Sequence, residues 1–138
     1  MIAVAALLCS ASAGRATAAE QPGDPDFTCT PAHPAKMYDT LKALPAEIRK
    51  YLTDKFGPMA ERGGDFNPTD VIMKPAPSRR FIRAGKTDGL WFVWYEQGGI
   101  AYWKQIVVFK DTPPHVVTQS RAAWRDNLCT VTDKLLGG

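Results

Sequence analysis

The chain has little of what catalytic and metal sites usually need. Its 138 residues include only two histidines, His33 and His115, and three cysteines. Neither histidine stands in a zinc-ligand spacing, and the sequence has no G-x-S-x-G elbow, no H-E-x-x-H pair and no phosphate-binding loop. We therefore expect no catalytic residue, no metal ion and no cofactor.

A strong charge of one sign is also absent. Seventeen basic and fourteen acidic side chains give a formal net charge of +3, whereas a nucleic-acid-binding domain carries a marked excess of basic residues. Arg79, Arg80 and Arg83 form a local basic cluster, which is typical of a solvated strand face. The composition thus argues against nucleic acid as a partner.

The acidic side chains form no complete metal site either. The run from Asp65 to Asp70 begins like a calcium loop, with oxygen-bearing side chains at alternate positions. The pattern then fails, because Asp70 stands where glycine is needed and Ala76 where a bidentate glutamate is needed. A turn in which Asp and Asn cap backbone groups is the better interpretation.

Acid–base pairs are few. His115 follows Asp111 by four residues, an arrangement able to supply an acid and a base, but a solvated loop histidine is the simpler interpretation. Two carboxylate pairs have no feature that separates them from surface charges: Glu61 with Asp65, and Asp88 with Glu96. Hydrolysis by a carboxylate pair is therefore the least favoured function for this chain.

The first nineteen residues are apolar or small at nearly every position. An apolar run, Ile2–Leu8, is followed by the A-x-A site Ala16–Ala18, a pattern that predicts a secretory signal peptide over residues 1–19. A signal peptide normally has a positive charge before its apolar run, and none is present here, as expected if translation starts further upstream. A buried N-terminal helix is the alternative to a signal peptide. The run is too short to span a bilayer. We expect a periplasmic or secreted protein, of bacterial type because the signal is short and rich in alanine, with no membrane span after cleavage.

Export has a consequence for the cysteines. Removal of the signal peptide takes away Cys9 and leaves Cys29 and Cys129, which lie 100 residues apart. An even count in an oxidising compartment favours a disulfide, here one that joins the two ends of the mature chain. Two free thiols or a metal-binding pair are the alternatives.

Residues 20–138 are predicted to form a single α+β domain. Its first segment, 20–34, is rich in proline and expected to be irregular. Two short helices are predicted next, over 35–44 and from Pro45 to Phe56, because apolar residues recur there at helical spacing.

The C-terminal part predicts one more helix. It would start after Ser120 as its N-cap and stop at Gly137, and it would carry Cys129. Its apolar positions recur at intervals of three and four residues: Trp124, Leu128, Val131 and Leu135.

The middle of the chain predicts an antiparallel meander of three to four strands. The three main strands are 80–83, 90–97 and 100–110, joined by turns at 85–89 and at Gly98-Gly99. Residues 116–118 could add a short fourth strand.

The Gly98-Gly99 pair, taken as a two-residue turn, sets a register for the aromatic hairpin. Tyr95 would pair with Tyr102 and Trp94 with Trp103, and both faces of the hairpin would then be apolar. One face would carry Leu90, Phe92, Trp94, Trp103, Val107 and Phe109. The other would carry Trp91, Val93, Tyr95, Tyr102, Lys104, Ile106 and Val108.

Two accounts of this hairpin compete, because an antiparallel sheet normally leaves one face in water. In the first, helices cover one face, and long loops or a partner subunit cover the other. In the second, one face is an exposed surface for recognition, which we call the aromatic platform. Its predicted binding residues are Trp91, Tyr95, Tyr102 and Lys104, flanked by Arg83.

The leading functional hypothesis is therefore a small, exported, non-enzymatic binding protein of the bacterial envelope. The platform would contact an unknown protein or glycan partner, and a homodimer through the sheet is a further option. Carbohydrate binding is the alternative function, since aromatic rings stack on sugar rings. In that case Glu96 and Gln97 at the hairpin tip would bind hydroxyls.

Overall fold

The computed structural model describes residues 28–72, 75–123 and 126–137. The predicted signal peptide, 1–19, lies outside the described residues, and so do the first part of the predicted irregular segment and Trp124 of the predicted C-terminal helix.

A five-stranded antiparallel sheet is the centre of the fold, and each strand pairs with the next one along the chain. The strands are β1 (Lys36–Tyr38), β2 (Arg79–Thr87), β3 (Leu90–Gln97), β4 (Trp103–Asp111) and β5 (Pro114–Ala122). The helices in the described part of the chain are α1 (Ala46–Phe56) and α2 (Leu128–Gly137), with a 3-10 turn at Leu41–Ala43. The α+β class is confirmed, but the sheet has more strands than predicted and one predicted α-helix is missing.

The missing α-helix is the first one, predicted over 35–44. Residues 36–38 form the edge strand β1 instead, and helical structure is limited to the short 3-10 turn, in which the Ala43 N–H donates to Thr40 Oγ1 at 3.3 Å. The turn ends at Leu44, whose ψ of 148° is extended. The following Pro45 explains this ending, because proline disfavours helical geometry in the residue before it. The second predicted helix is confirmed as α1, which ends at Gly57.

The C-terminal helix is also confirmed, but it begins later than predicted. Ser120 lies inside β5 and does not act as the N-cap. That role belongs to Asn127, whose Oδ1 accepts from the N–H groups of Cys129 (2.9 Å) and Thr130 (3.2 Å). The chain therefore stays extended through residue 122 and turns into α2 only after Asn127.

The predicted register of the aromatic hairpin is wrong by three residues. Gln97 pairs with Trp103, and Trp94 pairs with Ile106. The two strands are thus joined by a five-residue loop, 98–102, and not by a two-residue turn.

The reason for this longer loop is a contact made by Gly98 with a distant part of the chain. The Gly98 N–H donates to the carbonyl oxygen of Ser78 at 2.7 Å, and a Cβ at position 98 would collide with the carbonyl oxygen of Asn67. Gly98 is therefore required for close packing against the segment before β2, and it is unavailable as a turn residue.

Each face of the sheet has its own hydrophobic core. The odd register shift moves all side chains of β4 to the face opposite the predicted one. On one face, α1 and the 3-10 turn cover the first cluster: Leu44, Ile48, Leu52, Phe81, Ala84, Trp91, Val93, Tyr95, Val107 and Phe109. On the other face, α2 and the N-terminal segment cover the second: Ile82, Phe92, Trp94, Ile106, Val108, Ala122, Leu128 and Cys129.

The predicted disulfide between Cys29 and Cys129 is present, with a Cα–Cα distance of 6.2 Å. It joins the N-terminal segment to α2. The carboxylate of Asp133 supports this junction by accepting from the N–H groups of Ala32 and His33, both at 2.9 Å. The bridge and these hydrogen bonds together keep the N-terminal segment and α2 packed on the second face of the sheet.

Candidate functional site

The predicted aromatic platform is not exposed. Trp91 and Tyr95 are 1 % and 2 % exposed and belong to the core beneath α1. Their rings pack on those of Tyr38 and Phe56, with centroid distances of 5.2 and 5.8 Å. Both aromatic faces of the hairpin are thus covered by this same chain, which supports the first of the two accounts.

The other three platform residues are separated from Trp91 and Tyr95. The register shift places Lys104 on the opposite face, and Arg83 is on that face too. Both side chains are buried. Tyr102 lies in the hairpin loop. The structure therefore brings only Trp91 and Tyr95 together on one face.

Arg83 and Tyr102 have internal partners. The Arg83 guanidinium donates to Asp39 Oδ1 (2.7 Å) and to the carbonyl oxygen of Cys29 (2.6 Å), so it anchors the segment that carries the disulfide. The Tyr102 hydroxyl donates to Glu96 Oε1 at 2.7 Å.

Glu96, proposed as a sugar ligand at the hairpin tip, is a buried structural carboxylate. Arg80 forms a bidentate ion pair with it, and the Arg80 guanidinium also lies 4.3 Å from the centre of the Phe66 ring. Gln97 bonds the carbonyl oxygen of Gly98 at 2.8 Å. Because Glu96 is buried and paired, it is poorly placed to bind a ligand.

Glu61 and His115, two of the remaining acid–base candidates, also have structural partners. The carboxylate of Glu61 accepts from the N–H groups of Leu41 and Lys42 at the start of the 3-10 turn. The ring of His115 contacts the carbonyl oxygen of Pro113 through Nδ1 at 2.8 Å. Asp88 lies in the turn between β2 and β3, just before β3 begins, whereas Glu96 is near the end of β3. The two carboxylates are therefore at opposite ends of this strand.

Tyr95 gives this core a pH dependence. Burial raises the pKa of the Tyr95 hydroxyl, and the neighbouring Arg79 partly opposes that rise. Burial also raises the pKa of Tyr51, against a hydrogen bond from the Val116 backbone. Above pH 10 the unfolded chain loses these protons before the folded chain does, so the free energy of unfolding should fall as the pH rises.

Urea denaturation between pH 8 and pH 11 would measure this fall. Tyr95→Phe and Tyr51→Phe should each flatten the decline above about pH 10, the usual tyrosine pKa, and the double variant should flatten it further. Profiles parallel to that of the wild type would contradict the prediction.

One cavity reaches the buried face of the hairpin, and we call it the Trp91 cavity. It has a volume of about 260 Å³ and lies where the start of α1 meets the ends of β2, β3 and β4. Its walls are Pro45, Glu47 and Ile48 from the start of α1, Lys86 from β2, Trp91 from β3, and Asp111 and Thr112 from the end of β4 and the turn after it.

The indole of Trp91 is the most informative wall of this cavity. Its Nε1 is buried and has no hydrogen-bond partner among the residues that the structure describes. The neighbouring Trp94 differs, because its Nε1 donates to Thr132 Oγ1 at 2.8 Å. A buried donor without an acceptor costs about 1–3 kcal/mol, so the unpaired indole N–H of a residue that lines a cavity requires an explanation.

Opposite charges flank the indole. Lys86 Nζ lies 3.1 Å from Asp111 Oδ2 and 5.5 Å from the centre of the Trp91 ring. The hydrogen bond from Lys86 is the main reason why the pKa of Asp111 is lowered. Asp111 therefore stays ionised at neutral pH.

The start of α1 adds further polar groups. Pro45 is the N-cap of the helix and makes no side-chain hydrogen bond to its first N–H groups. Glu47 adds a carboxylate beside them. The cavity thus presents donors and acceptors side by side around an aromatic ring.

Sequence reasoning missed Lys86 because it placed this residue in a turn. The signal that could have found it is Asp88-Gly89, a dipeptide typical of two-residue hairpin turns. Gly89 has a φ of 71°, and Thr87 pairs with Leu90 across the turn. That register would have extended β2 and placed Lys86 opposite Trp91.

No known protein family, curated protein or solved structure matches this chain. In the described ranges no helix is both long and apolar enough to cross a bilayer. Over the same part of the chain, no three His, Cys, Asp or Glu side chains come together as ligands for a metal ion.

Proposed function

We propose that this protein is an exported, non-enzymatic binding protein that holds a small carbohydrate in the Trp91 cavity. The observation that carries the proposal is the buried, unpaired indole N–H of Trp91 at a cavity. The volume of about 260 Å³ is close to the lower end of ligand pockets, roughly 300 Å³, so the ligand is the size of a single sugar.

The charges around the cavity favour hydroxyl groups over a simple ion. A small anion would meet the carboxylates of Glu47 and Asp111, and a small cation would meet the ammonium of Lys86. A hydroxyl both donates and accepts, so a ligand with several hydroxyls can satisfy all of these groups and the Trp91 N–H.

Export of the protein is supported by two features of the chain. The first nineteen residues have the pattern of a secretory signal, and the disulfide is compatible with the oxidising bacterial periplasm or exterior. If the protein also forms a homodimer through the sheet, the outer edge of β5 is the surface to use, because the aromatic faces are covered.

The indole N–H signals of the four tryptophans provide a direct test by nuclear magnetic resonance. We expect that titration of the full chain with a panel of neutral and acidic monosaccharides shifts the Trp91 signal in a saturable way. The Trp94 signal should stay in place, because its N–H is already bonded to Thr132. A panel in which no member moves the Trp91 signal would overturn the proposal.

Two phenylalanine variants separate binding from stability. Trp91→Phe keeps an aromatic ring and removes the donor, so the affinity should fall about threefold to tenfold, the value of one hydrogen bond. Trp94→Phe leaves Thr132 without its donor, so it should destabilise the fold more than Trp91→Phe and leave binding unchanged. Calorimetric titration and urea denaturation measure the two effects, and equal loss of binding in both variants would contradict the assignment.

A further inference from the structure

A second depression adjoins the Trp91 cavity, and we call it the Lys36 groove. It is an open groove of about 770 Å³ between the start of β1 and the turn that joins β2 to β3. His33, Lys36, Lys86 and Asp88 line it. Lys86 also lines the Trp91 cavity, so one side chain connects the two depressions.

The register of β1 on β2 creates an unfavourable pair of charges in this groove. Lys36 pairs directly with Lys86, and partners in a register point to the same face of the sheet. Like charges directly opposite each other destabilise a sheet. Both lysines nevertheless line the groove.

Asp88 also lines the groove, but of the two lysines only Lys86 is in an ion pair in the described part of the chain. Asp111 pairs with Lys86. Lys36 has no carboxylate within ion-pair distance in the described part of the chain, and its ammonium lies 5.3 Å from the centre of the Tyr38 ring. The Tyr38 ring in turn packs on the Trp91 ring. The Tyr38 ring therefore lies between the Lys36 ammonium and a residue that lines the Trp91 cavity.

We propose that the Lys36 groove binds the carboxylate of a sugar acid whose ring occupies the Trp91 cavity. This inference rests on the proposed function and narrows its ligand class to acidic monosaccharides. The ring hydroxyls meet Trp91, Glu47 and Asp111, and the carboxylate lies between Lys36 and Lys86. An ion there forms charge-assisted hydrogen bonds and relieves the repulsion between the two lysines.

Matched sugars that differ only at one carbon provide the test. Calorimetric titration of the full chain with glucose and glucuronate, and with galactose and galacturonate, compares a hydroxymethyl group with a carboxylate. We expect at least one acid to bind about tenfold more tightly than its neutral partner at low salt, and this ratio to shrink as salt screens the charges.

Lys36→Gln is the decisive variant. It should reduce the ratio of acid to neutral affinity about threefold to tenfold and leave the affinity for the neutral sugar unchanged. Its denaturation midpoint should not fall, because the substitution removes a like charge opposite Lys86. Lys55→Gln, near the far end of α1, is the control and should change neither quantity.

The outcomes separate the groove from the cavity. Two outcomes would contradict carboxylate binding in the Lys36 groove without contradicting binding at the Trp91 cavity. One is a ratio of acid to neutral affinity that Lys36→Gln leaves unchanged. The other is equal affinity of the wild type for the acid and the neutral sugar. A threefold to tenfold fall in the affinity of Trp91→Phe for the neutral sugar supports binding at the Trp91 cavity independently. Absence of saturable binding by all four sugars overturns both proposals.

Discussion

Replacing both Cys29 and Cys129 with alanine is expected to lower the free energy of unfolding by up to about 4–5 kcal/mol. The bridge closes a loop of 100 residues, and without it the unfolded chain gains the conformational freedom of that loop. A loss of this size is a large part of the roughly 5–15 kcal/mol that stabilises a typical domain.

The structure shows which elements the bridge joins and which contacts remain between them without it. The bridge joins the N-terminal segment to α2, and both elements cover the core that contains Trp94. After its removal, the Asp133 hydrogen bonds to Ala32 and His33 still hold the junction. The double variant should therefore fold, with lower stability.

Urea denaturation of the wild type and the double alanine variant measures the difference. Wild type treated with reductant should match the variant, and thiol titration of the unreduced protein under denaturing conditions should find neither of these two cysteines free. A loss below about 1 kcal/mol would contradict the loop-entropy argument.

Trp94→Ala is expected to destabilise the protein by about 3–5 kcal/mol, whereas Trp103→Ala should cost no more than about 1 kcal/mol. Trp94 is fully buried, stacks on Phe92 with a centroid distance of 5.5 Å and donates to Thr132. Trp103 is 36 % exposed, and the Arg121 guanidinium lies 5.2 Å from its ring centre.

This pair of variants also tests the register. If the hairpin had the two-residue turn predicted from Gly98-Gly99, Trp94 and Trp103 would be cross-strand partners on one face. They would then cost similar amounts when truncated. Chemical denaturation followed by circular dichroism suits the comparison, because the tryptophan fluorescence itself changes in the variants. Similar losses in the two variants would contradict the observed pairing.

Local patterns were sufficient where the interactions that decide a structure are near in sequence. The spacing of Ile48 and Leu52 and the position of Pro45 predicted α1. The three-and-four spacing in α2 predicted that helix, although its start was moved by the Asn127 cap. The cysteine count, together with the predicted signal peptide, predicted the disulfide without any knowledge of the fold.

The candidate site was predictable only in part. Trp91 was among the predicted binding residues, because a strand rich in aromatic side chains is visible in the sequence. Its neighbours Lys86, Glu47 and Asp111 come from three other elements, and no sequence spacing brings them together. The sequence also could not predict that the Trp91 Nε1–H lacks an acceptor, because this depends on which atoms lie close to that nitrogen in the folded protein.

The amino-acid sequence by itself determined the α+β class, the amphipathic helices and the bridge between Cys29 and Cys129, because each follows from local periodicity or from simple pairing. The tertiary structure alone decided the register of the hairpin and the burial of its aromatic side chains. Gly98 packs against Asn67, some thirty residues away along the chain, and that contact lengthens the loop and moves the side chains of β4 to the faces opposite the predicted ones. Long-range packing of this kind has no signature in a single sequence, since it depends on which surfaces meet only after the sheet has formed.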